Sequence, residues 1–271
     1  MRRLAAIATA LTIAFKASLA AAAQPVDWEI NLQPAATLIM EQVRSFHTLL
    51  SWIISFIVLL VLCLLAYVCW RFNAERHPKP SRRSHHTVLE VVWTAVPVLV
   101  LVIIAIPSFK LLYYMDDLPK TEMTIKATGH QWYWSYEYPD QGDFQFDAYL
   151  VDAADLKPGQ PRLLTTDNYV VMPANTNVRV QTTATDVIHS WAMPSAGLKI
   201  DAVPGRLNEI WVNFEQPGMY YGQCSELCGV NHGFMPITIQ VVTKEQFTAW
   251  VEKAKQEFAR ADAPATQVAA R

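Results

Sequence analysis

Hydrophobic and polar positions divide the chain into three regimes. At the start, Arg2 and Arg3 precede an apolar stretch (4–15) and a small-residue end with Ala21-x-Ala23 before Gln24. That is the arrangement of a cleavable secretory signal over residues 1–23. Lys16 inside it leaves an uncleaved first span as the competing reading. Two longer runs follow. Residues 49–70 (LLSWIISFIVLLVLCLLAYVCW) carry no charge and are long enough to cross a hydrocarbon core of about 30 Å. Residues 91–109 (VVWTAVPVLVLVIIAIPSF) form the second run, and the hairpin ends near residue 112. Pro97 and Pro107 would break a soluble helix but are tolerated in lipid. The short loop between the runs carries Arg71, Arg76, Lys79, Arg82 and Arg83, so it belongs on the cytoplasmic side. Both ends of the hairpin then face outward, which agrees with a cleaved signal and leaves the large C-terminal portion outside. Reading the runs as core helices of a soluble protein conflicts with two such stretches flanking one basic loop. Cys63 and Cys69 are ordinary lipid-embedded side chains on this pattern.

After residue 113 the pattern shortens to segments bounded by Pro, Gly, Asn and Asp. It predicts strands over 123–128, 131–138, 143–150, 169–172, 177–183, 208–214, 219–223 and 236–242. NVRVQTT (177–183) alternates apolar and polar residues, the mark of a half-buried strand. Strands at this spacing suggest a β-sandwich or Greek-key barrel. A last helix begins at Thr243, where Thr243-x-x-Gln246 makes a capping box, and Phe247, Trp250, Val251, Ala254 and Phe258 share one face. The plan is therefore a signal (1–23), an N-terminal segment with a two-helix hairpin (24–112), a membrane-anchored all-β domain (113–260) and a loose tail (261–271).

Charge changes the picture in one respect. The formal net charge is only −2, but residues from Tyr113 onward hold 19 Asp/Glu against 12 Lys/Arg. An acidic outer portion excludes nucleic acid, which needs a basic face. It suits a basic protein partner, because complementary fields speed encounter. Four scattered cysteines do not make a disulfide framework.

The chemistry concentrates in YYGQCSELCGVNHGFM (220–235), which holds Cys224-x3-Cys228-x3-His232-x2-Met235 between two predicted strands. His189 in DVIHSWAMP is a fifth candidate ligand. Two thiolates, two imidazoles and a thioether form a soft set. Zinc has little use for Met, whereas thiolate with thioether favours copper. A blue-copper site would leave one Cys surplus. Two thiolates can instead bridge two copper ions, each also holding one imidazole, with Met235 and a backbone carbonyl as weak outer ligands. A Cys224–Cys228 disulfide is sterically open to this spacing. It would leave His189, His232 and Met235 unexplained together.

CSELCGVNHGFMP, GHQWYWSYEYPD, DVIHSWAMPS, DAVPGRLNE and the second span with its preceding Glu90 resemble cytochrome c oxidase subunit II, above all bacterial relatives of the mitochondrial subunit. The resemblance covers nearly the whole mature length. It implies a cupredoxin fold holding the binuclear CuA centre, bridged by Cys224 and Cys228. His189 and His232 would be terminal ligands, and Met235 and the Glu226 carbonyl weak ones. It also implies a Mg²⁺ shared with subunit I, with the Glu226 carboxylate as a ligand, which suits a hard cation. Electrons would come from cytochrome c and pass to haem in subunit I for oxygen reduction coupled to proton pumping, in a complex that also contains subunit III.

The resemblance gives two further residues a role. Trp132, in the aromatic run HQWYWSYEY, would be an exposed indole receiving the electron; as a strand, the run puts Trp132, Trp134, Tyr136 and Tyr138 on one face. Glu90, at the cytoplasmic start of the second span, would open a proton channel into subunit I; as a helix-end acid it would otherwise snorkel to the headgroups. Singly, the acids Glu137, Asp140, Asp143, Asp147, Asp152 and Asp155 read as solvated surface; clustered with the run, they would form a docking patch for a lysine-rich haem edge. Asp201 and Arg206 in DAVPGR resemble positions near the haem propionates, although the Pro204-Gly205 turn explains the local sequence equally well.

Three other functions compete. A quinol oxidase subunit II would lack the cysteines. A stand-alone copper carrier or delivery protein would need no Glu90. A nitrous oxide reductase would need a propeller domain, for which the chain is too short.

Overall fold

The computed structural model describes residues 23–79 and 81–258. The expected signal, apart from Ala23, and the expected tail over 261–271 lie outside the described residues. Contacts divide the chain into two units. One is 42–116; the other joins residues up to 41 with those from 117 onward.

The first unit holds all but the first turn of α1 (Leu38–Arg71) and all of α2 (Thr87–Asp116), each long and apolar enough to cross a membrane. Both outrun the apolar stretches read from sequence, because polar caps set their starts. Thr37 Oγ1 accepts from the Met40 N–H at 3.1 Å, which starts α1 eleven residues before residue 49. At α2, His86 Nδ1 accepts from the Leu89 N–H at 3.2 Å, and the His86 N–H donates to Glu90 Oε1 at 3.1 Å. Pro97 and Pro107 both lie inside α2.

The second unit is a sandwich of two five-stranded sheets. Its strands are β1 (Met123–His130), β2 (Tyr133–Tyr138), β3 (Phe144–Ala148), β4 (Val170–Pro173), β5 (Val178–Ala184), β6 (His189–Met193), β7 (Leu198–Ala202), β8 (Asn208–Val212), β9 (Gly218–Cys224) and β10 (Pro236–Val242). The sheet orders are β3-β2-β1-β5-β8 and β4-β10-β9-β6-β7, with β1/β5 and β4/β10 parallel and the other pairs antiparallel. Trp134, Tyr136, Ile125 and Val180 of the first sheet are fully buried, as are Trp191, Met193, Ile237 and Ile239 of the second. Tyr138 ties the sheets at their hydroxyl end, donating to the Val171 carbonyl at 3.0 Å and accepting from its N–H at 2.9 Å.

Helix α3 (Lys244–Glu257) starts on the capping box read from sequence, with Thr243 and Gln246 satisfying each other's backbone N–H. It lays Trp250 against Tyr138 and Phe144, with ring centroids 5.2 and 5.6 Å apart.

Three elements depart from expectation. Strands β6 and β7 had no counterpart among the predicted strands. All five residues of β6 are buried, so HSWAM shows no alternation to read. Strand β2 begins at Tyr133, so Trp132 sits in the β1–β2 turn and does not share a face with Trp134, Tyr136 and Tyr138. The segment before α1, expected to go with the hairpin, packs on the sandwich: the Ala36 N–H donates to the Ser195 carbonyl at 2.8 Å, and Thr37 Oγ1 donates to the Ala196 carbonyl at 2.8 Å.

Candidate metal centre

Strand β9 ends at Cys224, and the loop 225–235 returns to its antiparallel neighbour β10. Register pairs Cys224 with Trp191 of β6, so His189, two residues earlier on β6, reaches the same end of the sandwich. A short 3-10 turn (His232–Phe234) then offers His232 and Met235 from the loop. Sheet pairing thus brings together residues far apart in sequence.

The donor atoms converge. Cys224 and Cys228 are free thiols with sulfurs 3.9 Å apart. His189 Nδ1 lies 3.9 Å from Cys224 Sγ, and His232 Nδ1 lies 3.5 Å from Cys228 Sγ, so each thiol has its own imidazole. Met235 Sδ is 3.6 Å from Cys228 Sγ, and the Glu226 carbonyl oxygen is 3.4 Å from Cys224 Sγ. Ligand atoms of His189, Cys224 and Cys228 all fall within 4.8 Å of one another. These three residues and Met235 are buried, whereas His232 is half-buried.

Electrostatics favour a cation here. Burial works against charge on both thiols. At Cys224, hydrogen bonds with His189 and with backbone at Glu226 and Ser190 outweigh it and bring the thiol down to about 7. At Cys228, burial and the adjacent Cys224 push the thiol up to about 12. Two thiolates this close do not both ionise without a positive charge between or beside them. The donor set, two sulfurs with an imidazole each and a thioether, fits copper.

A surrounding layer of hydrogen bonds holds the candidate ligands, and sequence reasoning missed it. Asp186 Oδ1 lies 2.8 Å from His189 Nε2, which turns Nδ1 toward Cys224. The same carboxylate accepts from the N–H groups of Val187 (2.6 Å) and Gln131 (2.7 Å). Burial opposes its charge, but His189 and these two N–H groups hold the carboxyl below its ordinary range. An acid three residues before a candidate ligand histidine was the available signal. Gln131 Nε2 donates to the Cys228 carbonyl at 2.8 Å, and the half-buried Trp132 donates its indole N–H to that oxygen at 3.2 Å. Two glycines make room. A Cβ on Gly129 would come within 2.8 Å of the His189 ring, and one on Gly229 (φ +125°) within 2.9 Å of the Trp132 ring.

Asp186→Ala is expected to weaken metal retention by about 10–100-fold with the fold intact. Competition against a chromophoric chelator, with circular dichroism as control, measures it; wild-type retention would remove Asp186 from the site.

The other sequence-read residues are spread out. Glu226 presents an exposed carboxylate on the ligand loop. Asp147 pairs in register with Ser135 and accepts from its hydroxyl at 2.6 Å, near the Trp132 end of β2. Glu137 lies two residues beyond Ser135 along β2, about 7 Å at strand rise, and pairs with Lys126 at 3.3 Å. Asp140 and Asp143 lie at that far turn, where Asp140 accepts from the Thr124 N–H at 2.7 Å. Asp201 pairs with Lys199 at 2.8 Å, and Arg206 closes a turn onto Val203. Glu90 lies at the start of α2, in the other unit.

Comparison with known proteins assigns the family. Residues 25–111 match the transmembrane-domain model of cytochrome c oxidase subunit II, and residues 123–242 match the model of its periplasmic domain. The chain belongs to the cytochrome c oxidase subunit II family. It is 52% identical over 230 residues to a probable cytochrome c oxidase subunit 2 of Rickettsia felis, covering 85% of this chain and 73% of that one. It is 46% identical to cytochrome c oxidase subunit 2 of Zea mays, covering 88% and 93%. The solved periplasmic domain of subunit II of cytochrome oxidase (CoxB) of Bradyrhizobium japonicum is 56% identical, with a TM-score of 0.50 over 52% of this chain and 99% of that domain. The fold is thus the expected one, two membrane helices and a cupredoxin-like domain with a C-terminal helix. The protein is an inner-membrane subunit of an oxidase complex, with its C-terminal domain on the periplasmic side.

Proposed function

We propose that the periplasmic domain takes electrons from cytochrome c at a binuclear copper centre, CuA, and passes them to haem in subunit I, where oxygen is reduced to water and protons are pumped. The observation that carries this reading is the pair of buried free thiols 3.9 Å apart, each facing its own imidazole. A stand-alone carrier or delivery protein is not favoured, because both the spans and the β-domain match an oxidase subunit.

Cys224, Cys228, His189 and His232 would hold the copper, with Met235 and the Glu226 carbonyl as weaker donors. When bound, the copper pair supplies a one-electron store shared over two ions, so little rearrangement accompanies transfer. The chain's own residues do the rest. Burial of the cysteines keeps water from the sulfurs. Asp186 fixes the His189 ring. Trp132 offers a π-surface at the domain's edge while its N–H holds the Cys228 carbonyl. The Glu226 carboxylate is free to meet a Mg²⁺ whose other ligands come from subunit I. Glu137, Asp140, Asp143 and Asp147 lie along the β2–β3 hairpin, and a basic donor docked over its length reaches all four. Subunit III completes the complex.

Copper analysis and electron paramagnetic resonance of the periplasmic domain refolded with excess copper test the reading. It requires two ions per domain and an electron delocalised over both; a single ion, or a Cys224–Cys228 disulfide, would sink it.

Glu90 is proposed as the proton entrance to subunit I. Its carboxylate also caps α2 through the His86 N–H. Glu90→Gln keeps a capping oxygen but cannot titrate. Both Glu90→Ala and Glu90→Gln should slow haem reduction at the buried site with CuA spectra unaltered; a normal rate in the Gln variant leaves Glu90 as a cap only.

A further inference from the structure

The hairpin carries a half-open feature for which electron transfer has no use. Within the 42–116 unit lies a cavity of about 270 Å³ between α1 and α2. Its lining is chemically divided. Phe46, Leu49 and Pro107 give it apolar walls, whereas Gln42, Ser45 and Lys110 give it one cation and two neutral polar groups. Among the described residues Lys110 makes no ion pair. Asp116, the next acid along α2, is six residues on, about 9 Å along the axis.

Depth identifies what fits. The N-terminal end of α1 and the C-terminal end of α2 both face the periplasm, so the cavity lies at the outer leaflet. The uncharged run begins at Leu49. Ser45 and Gln42 precede it by four and seven residues, about 6 and 10 Å along the helix. The headgroup layer outside the hydrocarbon is about 5–8 Å thick. The cavity therefore straddles the boundary between headgroups and acyl chains, polar above and apolar below. An apolar occupant would strand the ammonium without a counter-charge, and a wholly polar one would waste the apolar walls.

We propose that this cavity holds the phosphate and glycerol of an outer-leaflet phospholipid. The Lys110 ammonium faces the phosphate, Gln42 and Ser45 donate to its oxygens, and the acyl chains run down past Leu49 and Pro107. The lipid is a structural ligand of the hairpin, independent of the copper reading.

The test uses the whole oxidase complex in nanodiscs containing a diazirine-bearing phosphatidylglycerol as photoprobe. Irradiation should place lipid adducts on peptides containing residues 42–49 and 107–111. Lys110→Gln should cut that labelling about fivefold, the loss expected for one lysine–lipid charge contact, while Lys110→Arg retains it. Copper content should be unchanged in both. Absence of label from these peptides in the wild-type complex, or equal labelling with Lys110→Gln, overturns the proposal. The wild-type arm decides even if a variant fails to assemble.

Discussion

Replacing Cys228 with serine is expected to leave a periplasmic domain that takes up at most one copper ion and shows no delocalised electron signal. An alcohol does not ionise at neutral pH as a thiol can, and its oxygen is a hard donor, so it cannot bridge two soft ions. The change is nearly isosteric. The fold should therefore survive, losing about 1–3 kcal/mol for a hydroxyl placed where the thiol is buried. Oxidation of reduced cytochrome c by the assembled complex should fall on the order of 100-fold or more, the scale on which ligand-shell damage acts. Copper stoichiometry, spin-resonance spectra and turnover on one preparation check all three. Retention of two ions by Cys228→Ser would show that the sulfurs do not hold the metals jointly.

The second large effect concerns how electrons reach the centre. Trp132→Phe removes the indole N–H that holds the Cys228 carbonyl and shrinks the π-surface beside it. Stopped-flow reduction of the copper by cytochrome c should slow on the order of 100-fold, the cost of losing close alignment at a reacting pair. Binding of cytochrome c should barely change, because the acids proposed to dock it are untouched. Gly229→Ala provides an independent route to the same outcome. Its Cβ would lie 2.9 Å from the Trp132 ring and 3.0 Å from Gln131 Nε2, at a backbone φ of +125° that side chains rarely adopt. Wild-type copper spectra with slow reduction are expected. Fast reduction in both variants would remove Trp132 from the path.

The two layers of the molecule were not equally legible in the sequence. A lipid-crossing helix must be apolar over about twenty residues, so the spans declared themselves, and only their polar extensions, capped by Thr37 and His86, were missed. Four of the candidate ligands fall within twelve residues of one loop, which made the cluster readable before any fold was known. What tertiary structure decides was not readable. His189 reaches the cysteines only because β6 pairs with β9, and β6 is too uniformly buried to show a strand period. Trp132 reads as one more member of an alternating aromatic strand, yet the turn before β2 takes it out of that face and sets it over the Cys228 carbonyl. Asp186, Gln131 and Gly229 are unremarkable letters until geometry gives them partners. The acids after the aromatic run looked like one cluster, but a hairpin spreads them along its length.

Residues 36–40 have a consequence for how the protein is made. Ile39 and Met40 are almost fully buried, and a Cβ on Gly197 would come within 3.1 Å of the Met40 backbone. The ribosome delivers these residues before both spans, and the turn around Ser195–Gly197 that receives them only after both. Completing the exported portion therefore requires a piece of chain made before the hairpin to dock on a turn made after it. A fragment beginning at residue 117 lacks that piece, and it should be less soluble than one to which residues 23–41 are restored as a separate peptide.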